Sequence, residues 1–481
     1  MIMKKLRRYL ATAVLALFGM TLSAQEVSPV DFMRLNPYQL VANPATDLPY
    51  EAVMSMLVGN VNLNFHNTGL HYDNLFDFDA QGRPQTVNLH KLADGLKPNN
   101  YLGLDFNENI FMLSRRVKKG LMTYSHNVRA QVGTTYNDGL FKLLAYGNGA
   151  YVGNDNPAVV DMKVDAHVFQ EFALGYQYNV TEQLSLGGWA KLLFGFGNVK
   201  SDAATARLYT EPDSYALRLQ EEVALKASLP SLFCIKDDEL ITRGNLAVAD
   251  LFRNPGFGLD FAAEYRFDVR FSAVAAVRDL GFISWGANNF EMTGDIDDNG
   301  QFYDNGDFFF SGIDGEQLNH IVNDEAYRKA FLDTLQGYFR IRAAEKGRYA
   351  TPLHTNLLLR GNYDLDANNR FIAQVQGRFT GCGFRPALTL AYSGSFWNNL
   401  NVCATYTMMP NSYANFGLGL SAMIETCNIY VTTNNLIGCF NPLNSSNVNA
   451  QVGIVFNLFL PEKRFIDESG RPQYLKGNDG D

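Results

Sequence analysis

The chain has 481 residues, with 40 Lys and Arg against 49 Asp and Glu, and a net charge of −9. An acidic balance of this kind argues against nucleic acid as a partner. Charged residues are 19% of the chain and aromatics 13%, a charge share below the ~25% usual for soluble proteins. Mean hydropathy is −0.14, and past the N-terminus no apolar run approaches the ~20 residues that a helical membrane span needs.

The first residues read as an export signal. MIMKKLRRYLATAVLALFGMTLSAQ opens on Lys4, Lys5, Arg7 and Arg8, continues with an apolar run from Tyr9 to Leu22 and ends on the small residues Ser23 and Ala24. About 14 apolar residues are too few for a spanning helix, so cleavage is expected near Ala24–Gln25. Residues 1–24 carry four positive charges and no acid, so their removal takes the charge from −9 to −13.

From residue 51 onward the dominant signal is alternation with period two. In EFALGYQYNVTEQLSLGGWAKLLFGFGNV, Phe172, Leu174, Tyr176 and Tyr178 share one face, and so do Leu184, Leu186, Ala190, Leu192, Phe194 and Phe196. In GLDFAAEYRF the apolar face is Leu259, Phe261, Ala263, Tyr265 and Phe267, opposite Asp260 and Glu264. LHTNLLLRGNYDLD sets Leu357 and Leu359 against His354 and Arg360, FIAQVQGRFT sets Phe371, Val375 and Phe379 against Gln376, and the pattern runs on to Phe456 and Leu458. These runs are about 10–14 residues, longer than the ~5–6 of soluble sheets and long enough for a tilted membrane strand. Connections alternate between short (179–183, 365–370, 397–400) and long (133–161, 198–255, 286–352), the asymmetry of a transmembrane barrel.

A soluble sandwich or propeller would need a charged, solvated second face. Here that face is mostly Asn, Gln, Thr, Ser and Gly, and the large apolar residues of the other face are expected to meet lipid. Closing the sheet then satisfies every backbone amide. Trp189, Leu193, Leu358, Ile372, Val455 and Phe459 fall opposite the lipid stripe. Open to water they would cost roughly 25 cal/mol per Å², so the segment 25–50, helices within 314–346 or a bound lipid is expected to cover them.

Four segments read as helical: 88–96, 138–149, 245–256 and 314–346. In the last, Leu318, Ile321, Val322, Phe331, Leu335 and Phe339 recur near helical spacing, Asp314 and Gln317 suit a capping pair, and Gly337 weakens the helix. Five cysteines, Cys234, Cys382, Cys403, Cys427 and Cys439, form no even, closely spaced framework and read as small buried or lumenal thiols; Cys427 and Cys439 read as the two ends of one strand.

Candidate chemistry is sparse. In GDIDDNGQFYDNGD, Asp295, Asp297, Asn299 and Gly300 match the first half of a calcium loop, but the twelfth position is Gly306 where a Glu is needed; the loop reads as an acidic turn. The seven histidines, His66, His71, His90, His126, His167, His320 and His354, fall in no catalytic or metal-binding spacing. RRVKKG (115–120) reads as a basic strand end, either a solvated turn or a contact with acidic lipid headgroups. No catalytic residue, metal ligand or cofactor is expected.

LVANPATDLP, NNYLGLDF, LLAYGNGAYVG, the 171–199 stretch, EPDSYALRL and LGFISW resemble an uncharacterised outer-membrane β-barrel family of the Bacteroidota, known only as a domain of unknown function. The resemblance spans about residues 36–460. Asn43-Pro44-Ala45 also resembles a motif of the wider long-chain fatty-acid-transporter-like barrels. It implies about 14 strands and an N-terminal segment lodged in the lumen, which makes 25–50 the expected cover for the apolar lumenal residues. It implies no activity that can be carried onto particular residues.

The expected organisation is a signal peptide (1–24), a lumenal segment (25–50), an all-β, single transmembrane antiparallel β-barrel (51–460) with a helical insertion at 314–346, and a polar tail (461–481). The expected role is a passive outer-membrane channel or uptake barrel, not an enzyme, for a small solute that the resemblance suggests is apolar. Its partners would be outer-membrane lipid and a lipid or small hydrophobic ligand in the lumen. The alternative is a non-transporting scaffold of an envelope or secretion complex; a barrel-embedded lipid hydrolase ranks third.

Overall fold

The computed structural model describes residues 27–458, leaving out 34–35, 154, 214–215, 230–232, 237–238, 243–250, 288, 295–303, 308–316, 318–319, 322–323, 331–340, 346 and 398, together with two short strands at 465–466 and 472–473. Fourteen antiparallel strands form a closed wall: β1 (Ala52–Asn67), β2 (Asn100–Val117), β3 (Gly120–Tyr136), β4 (Ala158–Asn179), β5 (Leu184–Thr210), β6 (Pro255–Arg266), β7 (Phe271–Trp285), β8 (Asn356–Asp364), β9 (Asn369–Thr380), β10 (Gly383–Phe396), β11 (Leu400–Met409), β12 (Ser412–Ile424), β13 (Cys427–Thr433) and β14 (Asn447–Leu458). Closure is made by β1 on β14, from Ala52 opposite Leu458 to His66 opposite Asn447. No edge is left in the membrane, where an unpaired amide is costly.

Six tight turns lie at the end where β1 begins and β14 ends, and two more, at 381–382 and 410–411, lie at the far end among the long connections. Their acids cap them: the backbone amides of Arg270 and Phe271 bond Asp268 Oδ1 at 2.7 and 2.8 Å and hold that carboxyl below its usual range.

The two faces follow the alternation. Phe261, Leu357, Leu359 and Phe456 are exposed and outward, while Asp260, Arg360 and Gln376 are buried and inward. Glu264 also faces in, where it accepts from Asn43 Nδ2 at 3.0 Å. Outward aromatics gather in two belts. One, at the tight-turn end, holds Tyr178, Tyr265, Phe267, Phe271, Tyr363 and Trp397; the other holds Phe257, Phe282, Phe379, Phe384 and Tyr413. On β6 and β7 the belts stand eight to eleven residues apart, ~20–28 Å vertically at a tilt of ~40°, which matches the ~25 Å apolar band of membrane barrels. Arg at Phe261 should therefore cost about 2–4 kcal/mol near the midplane. Arg at Gln376, among lumenal amides, should cost clearly less. Urea titration of protein refolded into vesicles measures both, and equal losses would contradict this register.

Three expectations change. First, 198–255 is not one long loop. β4 has 22 residues and β5 has 27, so both outrun the ~9–11 that cross a bilayer. Past Asn198, β5 leaves β6 and pairs with Ala216–Ser228, which pairs with Asn289–Gly294 and through it with Ile341–Glu345. A sheet thus flares beyond the rim, where no lipid demands an apolar face. Second, the helix expected over 314–346 ends before Ile341, because Ile341–Glu345 is strand, laddered to Phe290–Gly294; helix is described at 317, 320–321 and 325–330. Third, Cys427 and Cys439 do not bracket one strand: β13 stops at Thr433 and a helix follows at Leu436–Phe440, capped by Asn435. Four cysteines are free among the described residues.

The helices expected at 88–96 and 138–149 are present as Leu89–Gly95 and Gly139–Tyr146. They pack Leu89, Leu92, Ala93, Leu96 and Ala145 into an apolar cluster on the long-loop side. Of the helix expected at 245–256, residues 243–250 lie outside the described residues, and Pro255 already belongs to β6.

Candidate functional site

The lumen is filled, from the end where β1 begins, by the described residues of 27–50. Ser28 caps a short 3-10 turn, Pro29–Phe32, reciprocally with Asp31. Asn36 and Asn43 each accept an amide two residues on, from Tyr38 at 2.9 Å and Ala45 at 3.1 Å, so side chains help to close the turns on either side of the short helix Gln39–Ala42. Val27, Val30, Phe32, Met33, Tyr38, Leu40, Leu48 and Tyr50 are buried in one cluster with the inward Met112, Trp189, Ile372, Tyr430 and Val455. Three of the expected lumenal apolar residues are thereby covered. Leu358 is covered by the same segment through Ala45, beside Ala262, Val274 and Ala276; Leu193 packs instead with Phe169, Ile283, Trp285 and Leu353 higher up, and Phe459 lies outside the described residues.

Polar bonds fix the segment to many strands. Arg360 donates to Asp31 O at 3.0 Å and lies 4.8 Å over the Phe32 ring. Ser185 donates to Ala45 O at 2.6 Å. Arg116 pairs with Asp47 at 2.9 Å and also donates to Leu48 O, and Asn179 reaches Asp47 at 2.7 Å. The basic cluster expected to meet water or headgroups thus turns Arg116 inward as an anchor. At Gly187 any Cβ would stand 1.9 Å from Pro44 O; a glycine is required for Asn43-Pro44-Ala45 to lie against the wall.

Above this segment lies a belt of charge. Arg129 (β3) pairs with Asp279 (β7) at 2.8 Å and Glu171 (β4) at 2.9 Å. Lys191 (β5) sits 2.7 Å from both Asp260 (β6) and Asp279. A bulge makes this convergence possible: two residues of β7 face Asp260, Asp279 takes φ 57°, and its amide bonds Asp260 Oδ1 at 2.7 Å. Between belt and segment is a cavity of about 100 Å³, whose lining includes Asp31, Tyr38, Asn107, Arg129, Glu171 and Arg278. It has room for a few waters, and its walls mix charged and amide groups with the apolar Val41, Ala42 and Phe106.

Higher still, a second cluster crosses the lumen. Asp165 accepts from His167 Nε2 at 2.6 Å, His354 Nε2 at 2.7 Å and the Gly381 amide at 2.6 Å. Arg378 grips Asp105 with two bonds of 2.7 and 2.9 Å and donates to His354 Nδ1 at 2.9 Å. Gln131, its amide oxygen turned toward them, accepts from Arg378 at 2.9 Å and Arg129 at 3.0 Å, so the two clusters join. Thr351, His167 and Asp165 copy the order of a hydrolase triad, with Thr351 Oγ1 3.4 Å from His167 Nδ1. Yet Thr351 Oγ1 accepts from Trp285 Nε1 at 2.8 Å and is fully buried, shut away from any substrate.

Alternation correctly set Asp260, Arg360 and His354 on the lumenal face. It did not bring Arg129, Glu171, Lys191 and Asp279 together, nor Asp165 with two histidines, because cross-lumen partners depend on barrel tilt and shear. The one local signal was the pair Asp165-x-His167, two residues apart on a single strand. The acidic loop with Asp295, Asp297 and Asn299 lies outside the described residues.

No curated protein matches the sequence. Among solved structures the chain is similar to the toluene transporter TodX of Pseudomonas putida, at 7% identity over 91% of this chain and 98% of that one with a TM-score of 0.40. It is also similar to the toluene transporter TbuX of Ralstonia pickettii, at 9% identity over 87% and 92% with a TM-score of 0.39, and to a FadL homologue of Pseudomonas aeruginosa, at 10% identity over 91% and 100% with a TM-score of 0.42. The sequence profile of the Family of unknown function (DUF5723) matches residues 44–434, and the chain belongs to that family.

Proposed function

We propose that the protein is a passive uptake channel of the outer membrane, reached by way of a cleaved leader at 1–24, and closed at rest by residues 27–50. The observation that carries this is the way the lumen is filled. The occluding segment runs into β1, and its described residues are held by side-chain bonds and apolar packing, with no strand pairing to the wall among them. Behind it the wall carries polar and charged groups around a cavity. A barrel that served only as a rigid peg could fill its lumen with wall side chains, as small barrels do.

The solute is small. The cavity does not choose between a polar and an apolar solute, since carboxylates, two guanidinium groups and amides share its walls with Val41, Ala42 and Phe106. Paired flux assays in proteoliposomes, one with a small polar solute and one with a small hydrocarbon, decide between them. Flux of either solute above protein-free vesicles supports the channel. Absence of both, even after the segment is deleted, sinks it.

One observation favours a scaffold as the second reading. The sheet formed by β5, Ala216–Ser228 and Asn289–Gly294 stands beyond the rim, a place where another envelope protein can dock.

A further inference from the structure

We propose that Asp165, His167 and His354 bind one divalent transition-metal ion of the zinc class, which pins β4 to the segment entering β8 across the upper lumen. Asp165 and His167 are two apart on one strand, so their side chains share the lumenal face. His354 arrives from the connection between the strand Tyr349–Pro352 and β8. One donor atom from each lies within 4.8 Å of the others, and all three residues are buried.

The donor set selects the ion. Two imidazole nitrogens and one carboxylate are borderline ligands, which suit zinc, cobalt or nickel and not calcium or magnesium. Three protein ligands also leave a tetrahedral ion one further position.

The surroundings of His167 and of the carboxylate match what ligating groups require. A bound imidazole carries its proton on the nitrogen away from the metal and gives it to an acceptor. For His167 that acceptor is Thr351 Oγ1, itself held by the Trp285 indole N–H. The carboxylate is steadied by the Gly381 amide.

Three adjustments accompany binding. At His167 the proton now on Nε2, where it is given to Asp165, moves to Nδ1, and the Thr351 hydroxyl turns from donor to acceptor toward that nitrogen. Donors around a tetrahedral ion with ~2.0 Å bonds stand about 3.3 Å apart, whereas Asp165 is now 2.6 and 2.7 Å from the two nitrogens, so the carboxylate swings back by roughly 0.6 Å. At His354, Arg378 donates to Nδ1, which places the ring proton on Nε2. Binding moves that proton to Nδ1, and Arg378 turns wholly to Asp105, with which it already makes two bonds.

The test uses the full-length protein in detergent, stripped with chelator, incubated with zinc chloride and desalted. Folding of every variant is confirmed by its heat-modifiable migration in gels. Metal analysis should find stoichiometric zinc in the wild type and little in His167→Ala, His354→Ala or Asp165→Asn. His90→Ala, at an exposed histidine, should retain it. Thr351→Val should bind about tenfold to a hundredfold more weakly, the usual effect of removing a partner of a ligand. Cobalt should give a visible ligand-field spectrum that the same variants abolish. Folded wild type that keeps no zinc overturns the site, and so do His167 and His354 variants that keep as much as the wild type.

Discussion

Deleting residues 27–42 should convert a nearly silent barrel into a steadily conducting one. The segment buries Val27, Val30, Phe32, Met33, Tyr38 and Leu40 against the lumenal wall, and the cavity left beside it holds about 100 Å³. Asn43-Pro44-Ala45 would stay docked at Gly187 and Ser185, so the strands keep their start. A milder variant separates a movable plug from a fixed one. Phe32 is buried under the Arg360 guanidinium, and Phe→Ala at such a site costs about 3–5 kcal/mol. At ~1.4 kcal/mol per decade, the ratio of docked to undocked segment should fall by about two to four decades. Single-channel recordings in planar bilayers should then show rare brief openings in the wild type, frequent ones in Phe32→Ala and steady current in the deletion. A large steady current from the intact protein would mean that the segment does not close the lumen.

How much of this was legible in the sequence depends on the range of the interactions. Alternation is local, so a run such as Leu357–Arg360 declares its faces unaided, and the inward apolar Trp189, Ile372 and Val455 announced that something would cover them. Beyond the membrane the signal fades. Residues 198–210 are strand, yet SDAATARLYT carries small and polar groups on both faces because neither meets lipid or a packed core. The two buried clusters were illegible for a different reason. Glu171, Lys191 and Asp260 lie on consecutive wall strands, but Arg129 meets Asp279 across 150 positions of sequence and His354 meets Asp165 across 189. Only the closure, tilt and bulges of the sheet put those residues at one height.

Replacing Lys191 by Met should be among the most damaging single changes in the wall. Its ammonium lies between Asp260 and Asp279 at 2.7 Å each, with Glu171 at 3.9 Å. Without it, Asp260 loses its ammonium partner while Arg129 still holds Asp279 and Glu171, and removing one partner of a buried ionic group costs about 3–5 kcal/mol. The loss comes from the acids left behind more than from the pair itself. Lys191→Met combined with Asp260→Asn should therefore recover most of the stability, because Asp279 and Glu171 keep Arg129. Urea unfolding in vesicles measures the cycle. A double variant no more stable than the single one would mean that Lys191 acts by packing and not by charge. The same change has a functional readout. Counting Glu171, Asp260 and Asp279 against Arg129 and Lys191, the belt carries one net negative charge, and loss of the lysine makes it two. With residues 27–42 deleted, the reversal potential in a salt gradient should move toward cation preference in Lys191→Met and return when Asp260→Asn is added. A reversal potential that ignores both changes would place the conducting path away from this belt.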